Sequence, residues 1–155
     1  MTDTPVPDIP VATDGDVFIT RVFAAPRDVV WRFFTDPDLL ATWFGPATVH
    51  VDRATVDVDL RAGGTWNLDM VDNETAEHYP VRSELTAVVP PEYLEGQVVG
   101  PPGAVTLRIW LHDHGDKTRM TLHQGPFSAE FRDMTGAGWE ESFVKIDARL
   151  EAGAR

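Results

Sequence analysis

The chain has 155 residues, room for one domain, since a domain of about 150 residues already buries roughly 70% of the surface its unfolded chain exposes. Hydrophobic residues make up 43% and charged residues 25%, which excludes a disordered chain, and no apolar run approaches the roughly 20 residues a membrane-spanning helix needs. With 13 Lys and Arg against 25 Asp and Glu the net charge is -12, so neither nucleic acid nor membrane is an expected partner, and the lack of Cys removes disulfides, thiolate nucleophiles and zinc-thiolate sites.

Residues 1–15 carry Pro5, Pro7, Pro10 and Gly15 among short polar side chains and read as a flexible, dispensable tail with no periodic apolar face; the domain is 16–155. The first ten residues lack the basic start and apolar stretch of a secretory signal, so a cytoplasmic location is expected. Val17–Phe23 is β-branched and aromatic and predicts a strand. Pro26 opens a short helix over 27–34, and Asp36 caps a second that starts at Pro37 and runs to about Phe44, where Gly45-Pro46 stops it.

Short strand-like runs follow at 49–60, 65–71, 77–89, 93–99, 105–112 and 117–124. They are separated by Gly63-Gly64, Asp72-Asn73, Pro90-Pro91, residues 100–103 and residues 113–116, connections short enough for an antiparallel sheet. Strand alternation puts Trp66, Leu68 and Met70 on one face, as it does Val105, Leu107, Ile109 and Leu111, and Met120, Leu122 and Gln124. After Gly125-Pro126, Ser128 caps one long helix to about Leu150. Its apolar stripe, Phe131, Met134, Trp139, Phe143, Ile146 and Leu150, should face the sheet. Gly136 and Gly138 interrupt that stripe and imply a close approach or a bend.

Few residues advertise chemistry. None of His50, His78, His112, His114 and His123 has metal-ligand spacing, and no nucleophile elbow, phosphate loop or dinucleotide fingerprint is present, so neither metal nor cofactor is expected. His112, His114 and His123 read as surface residues. Of the adjacent His78 and Tyr79, one must face the inside of the sheet. Aromatic residues are the richer set, and a sheet wrapped round one helix cannot fill its own concavity, so some of them should line a pocket with Tyr79, Ser83, Gln124 and Ser142 as the polar groups at hand.

Ala25-Pro26-Arg27-Asp28-Val29-Val30-Trp31, Thr35-Asp36-Pro37 and Trp43-Phe44-Gly45-Pro46, followed by Asp59-Leu60-Arg61-Ala62-Gly63-Gly64-Thr65-Trp66, Tyr79-Pro80, Val89-Pro90-Pro91-Glu92-Tyr93-Leu94, Thr118-Arg119-Met120-Thr121-Leu122 and Gly138-Trp139, occur in the order seen in a known family. Over about 16–150 the chain resembles the bacterial SRPBCC proteins related to the activator of the heat-shock protein 90 ATPase. That resemblance implies the α+β, START-like helix-grip fold: a curved antiparallel sheet of six or seven strands around a long C-terminal helix, two short helices between the first two strands, and a cavity that often receives a hydrophobic molecule. Relatives include lipid and hormone binders, aromatase or cyclase enzymes and suggested co-chaperones.

The expectation is therefore a binding domain for a small apolar or aromatic molecule, as a monomer or homodimer. Its cavity should be formed by Trp66, Leu68, Met70, His78, Tyr79, Leu107, Ile109, Met120, Leu122, Trp139 and Phe143, with Trp43 and Phe44 as an entrance gate. One alternative is a stress-related partner of a heat-shock 90 type chaperone. Another is a cyclase or dehydratase drawing acid-base groups from His78, Tyr79, Arg82 or Glu84.

Overall fold

The computed structural model describes residues 6–99 and 104–153; the start of the tail and the separator at 100–103 lie outside the described residues. The elements are β1 Val17–Phe23, α1 Arg27–Thr35, α2 Pro37–Leu40, β2 Val49–Val58, β3 Trp66–Asp72, β4 His78–Val89, β5 Tyr93–Val99, β6 Val105–His114, β7 Lys117–Gly125 and α3 Ala129–Glu151. Seven antiparallel strands form one sheet in the order β1-β7-β6-β5-β4-β3-β2. Strands β2 to β6 each pair with their successor, and β1 joins the far edge beside β7. The chain must therefore cross the inner face between β1 and β2, carrying α1 and α2 with it, and the curled sheet grips α3 on that same side. This is the helix-grip fold that the family resemblance implies.

The second helix is shorter than predicted. Asp36 caps it by accepting from the Asp38 and Leu39 amides, but regular helix ends at Leu40. The last carbonyls of α1 lack helical partners, and the residue that would serve Phe33 is Pro37, which has no N–H. The Trp43 indole Nε1 donates to the Phe33 carbonyl at 2.7 Å, and Trp66 Nε1 donates to the Phe34 carbonyl at 2.8 Å. Beyond Leu40 the helix loosens into turns, the Thr42 amide donating to the Leu39 carbonyl at 3.0 Å and the Phe44 amide to that of Leu40 at 3.4 Å, and Trp43 of this stretch reaches back to Phe33. The two indoles thereby tie the end of α1 to its own sequel and to β3.

Only half of α3 packs. Trp139, Ser142, Phe143, Ile146 and Leu150 are buried, whereas Phe131 and Met134 are exposed, so the expected stripe does not pack on the sheet along its whole length. Added Cβ atoms at Gly136 and Gly138 would meet nothing within 4 Å, so these glycines mark open space and not the close approach expected. Arg21 of β1 fixes the packed half through Asp147 at 2.5 Å and Glu140 at 3.2 Å.

The loop after α2 is bound to that packed half. The Gly45 amide donates to Ser142 Oγ at 3.0 Å and the Ala47 amide to Glu141 Oε1 at 2.8 Å. Lys145 Nζ donates to the carbonyls of Gly45, Pro46 and Val49 at 2.9, 3.0 and 3.3 Å. Burial draws the Lys145 ammonium below its ordinary pKa, with Glu141 acting in the opposite sense. Gly45 has φ +102°, and a Cβ there would come 2.6 Å from Val49 Cγ2 and 2.9 Å from Met70 Sδ.

One of the three histidines expected at the surface needs correction, and a second is half-buried. His123 lies on the outer face as alternation requires, but it is buried, with Nε2 3.0 Å from Asp16 at the foot of the tail. His112, also on that face, has an Nδ1 that is buried without a partner among the described residues.

Trp139→Ala should cost about 3 to 5 kcal/mol, the range for removing a large aromatic from a core, read as a lower urea midpoint; an unchanged midpoint would place Trp139 outside the packed half. Gly45→Ala should lose about 1 to 3 kcal/mol from left-handed backbone strain alone, with the Val49 and Met70 contacts adding to it, and thermal melting checks the loss.

Candidate functional site

Where the first half of α3 stands off the sheet there is an open cavity of about 260 Å³. Its floor is Trp66, Met70, Val81, Val98 and Leu107 on four neighbouring strands. The roof is Met134, Thr135 and Gly138, one face of α3. Phe44, Gly45 and Pro46 form the clamped rim, and Trp139, Gln124 and Ser142 stand at the junction of helix and sheet. A second hollow of about 20 Å³, room for roughly one water, shares Trp66, Val98, Leu107 and Trp139 with the first and adds Phe34, Ser83 and Ile109.

The walls are apolar and the polar groups are few. Ser142 Oγ is committed twice, donating to the Gly138 carbonyl at 2.8 Å and accepting from the Gly45 amide. Trp139 Nε1 donates to Gln124 Oε1 at 2.8 Å. An indole nitrogen can only donate, which fixes the orientation of the Gln124 amide and leaves its NH2 as the group offered to an occupant. Ser83 Oγ, against the smaller hollow, is buried without a partner among the described residues. Among the described residues no Asp, Glu, His, Lys or Arg lines either hollow, so these walls supply no titratable group for general acid-base work.

The predicted residues divide into four groups. Phe44, Trp66, Met70, Leu107 and Trp139 line the cavity, and Ile109 lines the smaller hollow. Leu68, Met120, Leu122 and Phe143 are on the inner side but fully buried in the core and line neither. Trp43 is also core, held by Phe33 and packed on Phe34 and Phe143, so it is not half of an entrance gate. Tyr79 pairs with Met70 and so shares its face, but it is exposed and outside the cavity.

His78 is displaced altogether. It pairs with Val71 on the outer face, where its Nδ1 lies 3.0 Å from Asp69 Oδ2 and Arg82 lies 2.9 Å from Asp69 Oδ1. The His78 hydrogen bond, joined by Arg82 and opposed by burial, lowers the Asp69 pKa. Three of the four acid-base candidates for a cyclase, His78, Arg82 and Glu84, have the same parity on β4 and face away from the cavity, and the fourth, Tyr79, is on the inner face but exposed and outside it.

Val81, Val98, Gly45, Pro46, Met134, Thr135 and Gly138 also line the cavity and were not among the predicted site residues. Val81 and Val98 carry a signal, the alternation of their own strands, but choosing their face requires the register with Leu68 and Val105. Met134, Thr135 and Gly138 share a helical face with Ser142 that was visible in the spacing; the presence of glycine there disguised it.

Among the described residues no three His, Asp or Glu side chains gather to hold a metal, and no helix is long and apolar enough to cross a membrane. Comparison with curated proteins gives no match. Solved structures with the same fold include protein NE0264 from Nitrosomonas europaea, 24% identical over 93% of this chain and 99% of that one, with a TM-score of 0.80. Protein Ms6760 from Mycobacterium smegmatis is 28% identical over 96% and 99%, with a TM-score of 0.73. The AHSA1 protein SPO3351 from Silicibacter pomeroyi is 23% identical over 89% and 99%, with a TM-score of 0.75. The model of the family described as Activator of Hsp90 ATPase homolog 1-like protein matches residues 24–151, and the chain belongs to that family, within the SRPBCC superfamily, whose fold commonly binds hydrophobic ligands.

Proposed function

We propose that this protein binds a small, largely apolar molecule in the cavity between α3 and the sheet, without transforming it. The observation that carries this reading is the lining: aromatic and aliphatic walls, no titratable group among the described residues, and one amide whose orientation is fixed by Trp139. Burial of the ligand's apolar surface supplies the affinity, at about 25 cal/mol per Å² before the costs of association. A carbonyl or ether oxygen on the ligand would accept from the Gln124 NH2, and this sets its orientation. Planar aromatic ligands suit walls made of Trp66, Trp139 and Phe44, whose rings already meet edge to face at 5.2 and 5.4 Å.

Two substitutions separate occupancy from stability. Gly138→Leu places a side chain where nothing stands within 4 Å of the new Cβ, so it should block the cavity while improving helix propensity by up to about 1 kcal/mol. Leu107→Trp narrows the same space from the floor. Titration with N-phenyl-1-naphthylamine, a neutral fluorescent probe, should show saturable binding to the wild type and at least a tenfold loss, about 1.4 kcal/mol, in both variants. Undiminished binding in a folded Gly138→Leu variant places the probe elsewhere and defeats the proposal.

A further inference from the structure

The outer face of the sheet carries a second, separate apolar cluster. Tyr93 on β5 and Trp110 on β6 are register partners, their rings 5.2 Å apart, with Ala87 and Val89 beside them. Outer-face aromatics of a single sheet should be wet, yet Tyr93 is 0% and Trp110 1% exposed. The Tyr93 hydroxyl donates to Glu95 Oε1 at 2.5 Å, and Glu95 is held in turn by Thr86 and Arg108.

The N-terminal segment lies at this cluster. Trp110 Nε1 donates to the Pro7 carbonyl at 2.8 Å. On either side of Pro7, Val6 is 38% and Ile9 37% exposed, whereas Val11, just past the cluster, is 91% exposed. The segment is fastened again at its foot: the Phe127 amide donates to the Gly15 carbonyl at 2.7 Å, Arg132 donates to the Asp14 carbonyl, and Asp16 meets His123. Residues 11–14 between the two fastenings are exposed. A segment without regular secondary structure, which Pro7 and Pro10 bias toward extended backbone and whose Pro7 carbonyl accepts from the indole of a buried aromatic pair, has the physics of proline-rich peptide recognition: proline removes backbone donors and restricts the free segment, so little entropy is lost on docking. The segment also lies outside residues 24–151, the part that defines the family.

We propose that the outer face around Tyr93 and Trp110 is a binding site for an extended, proline-containing apolar peptide, and that residues 6–10 of this chain occupy it as a tethered, displaceable ligand. The short tether gives an effective concentration in the millimolar range, so the site can be filled in cis while the intrinsic affinity is weak. This site is independent of the cavity.

The test uses the full chain, labelled with nitrogen-15, and the indole N–H signal of Trp110, assigned by its loss in Trp110→Phe. A Val6→Asp, Ile9→Asp double variant alters only half-exposed positions. It should shift the Trp110 signal and speed its exchange with solvent by more than about tenfold. Added at millimolar concentration, a synthetic peptide of residues 5–12 should return the signal to the wild-type position saturably, and the same peptide carrying both Asp substitutions should not. A Trp110 signal that ignores the double variant overturns the docking, and failure of the peptide to restore it overturns the peptide site. A wild-type signal that depends on protein concentration assigns the segment to a second copy and overturns occupancy in cis. A peptide response that persists, read on other signals, after Trp110→Phe is added to the double variant moves the site elsewhere.

Discussion

A buried indole has one polar atom, a donor, and leaving it unpaired costs on the order of 1 to 3 kcal/mol. Four tryptophans of this chain meet that requirement with partners far from their own positions in the sequence, and the architecture follows the pairings. Trp43 and Trp66 take the two carbonyls that α1 leaves open at its end, and so fix the helical crossing over the sheet. Trp139 takes Gln124 of β7, joining α3 to the strand that precedes it. Trp110 takes Pro7, drawing the N-terminal segment onto the opposite face. Each bond adds little stability by itself; its larger effect is directional, since it allows one placement of a large ring and excludes others.

The cavity results from a mismatch that these pairings leave unfilled. From Trp139 onward, α3 offers large side chains to the inner face, and the core there closes completely around Phe143 and Ile146. Before Trp139 the same helical face offers Thr135 and Gly138, while the floor beneath offers Met70, Val81 and Val98. Neither side can span the gap. Trp139 stands at the border and serves both regions: its ring stacks on Phe143 on one side and forms the cavity wall on the other, while its N–H orients the amide that would face a ligand.

Local chemistry made most of this fold legible. Pro26 and Asp36-Pro37 mark helix starts because proline fits the first turn and aspartate accepts its amides, and strand period assigned Trp66, Leu68, Met70, Leu107 and Ile109 to the inner side. The sequence was less informative wherever two distant segments decide. His78 and Tyr79 could be separated only through the pairing of β4 with β3, and the burial of Trp43 depends on a carbonyl ten residues away. Phe131 is exposed and lines neither hollow, and Met134 faces the sheet only across the cavity, because an apolar residue at helical spacing does not reveal how far away the opposite wall stands. The tail was read from composition alone, and composition does not disclose the indole that receives Pro7.

The unequal packing of α3 divides one hydrogen-bonded helix into parts with different free energies of opening. From Trp139 on, fraying must break core contacts and the Lys145 clamp, whereas the first turns lose few contacts and contain two glycines that weaken the helix intrinsically. The clamp also holds the rim loop of Gly45 and Pro46 to the stable part. Of the two walls at the mouth, the helical one is therefore the softer, and partial unwinding there would widen the way in without disturbing the sheet or the core. A bound molecule would in turn supply the missing contacts, evening out amide protection along α3.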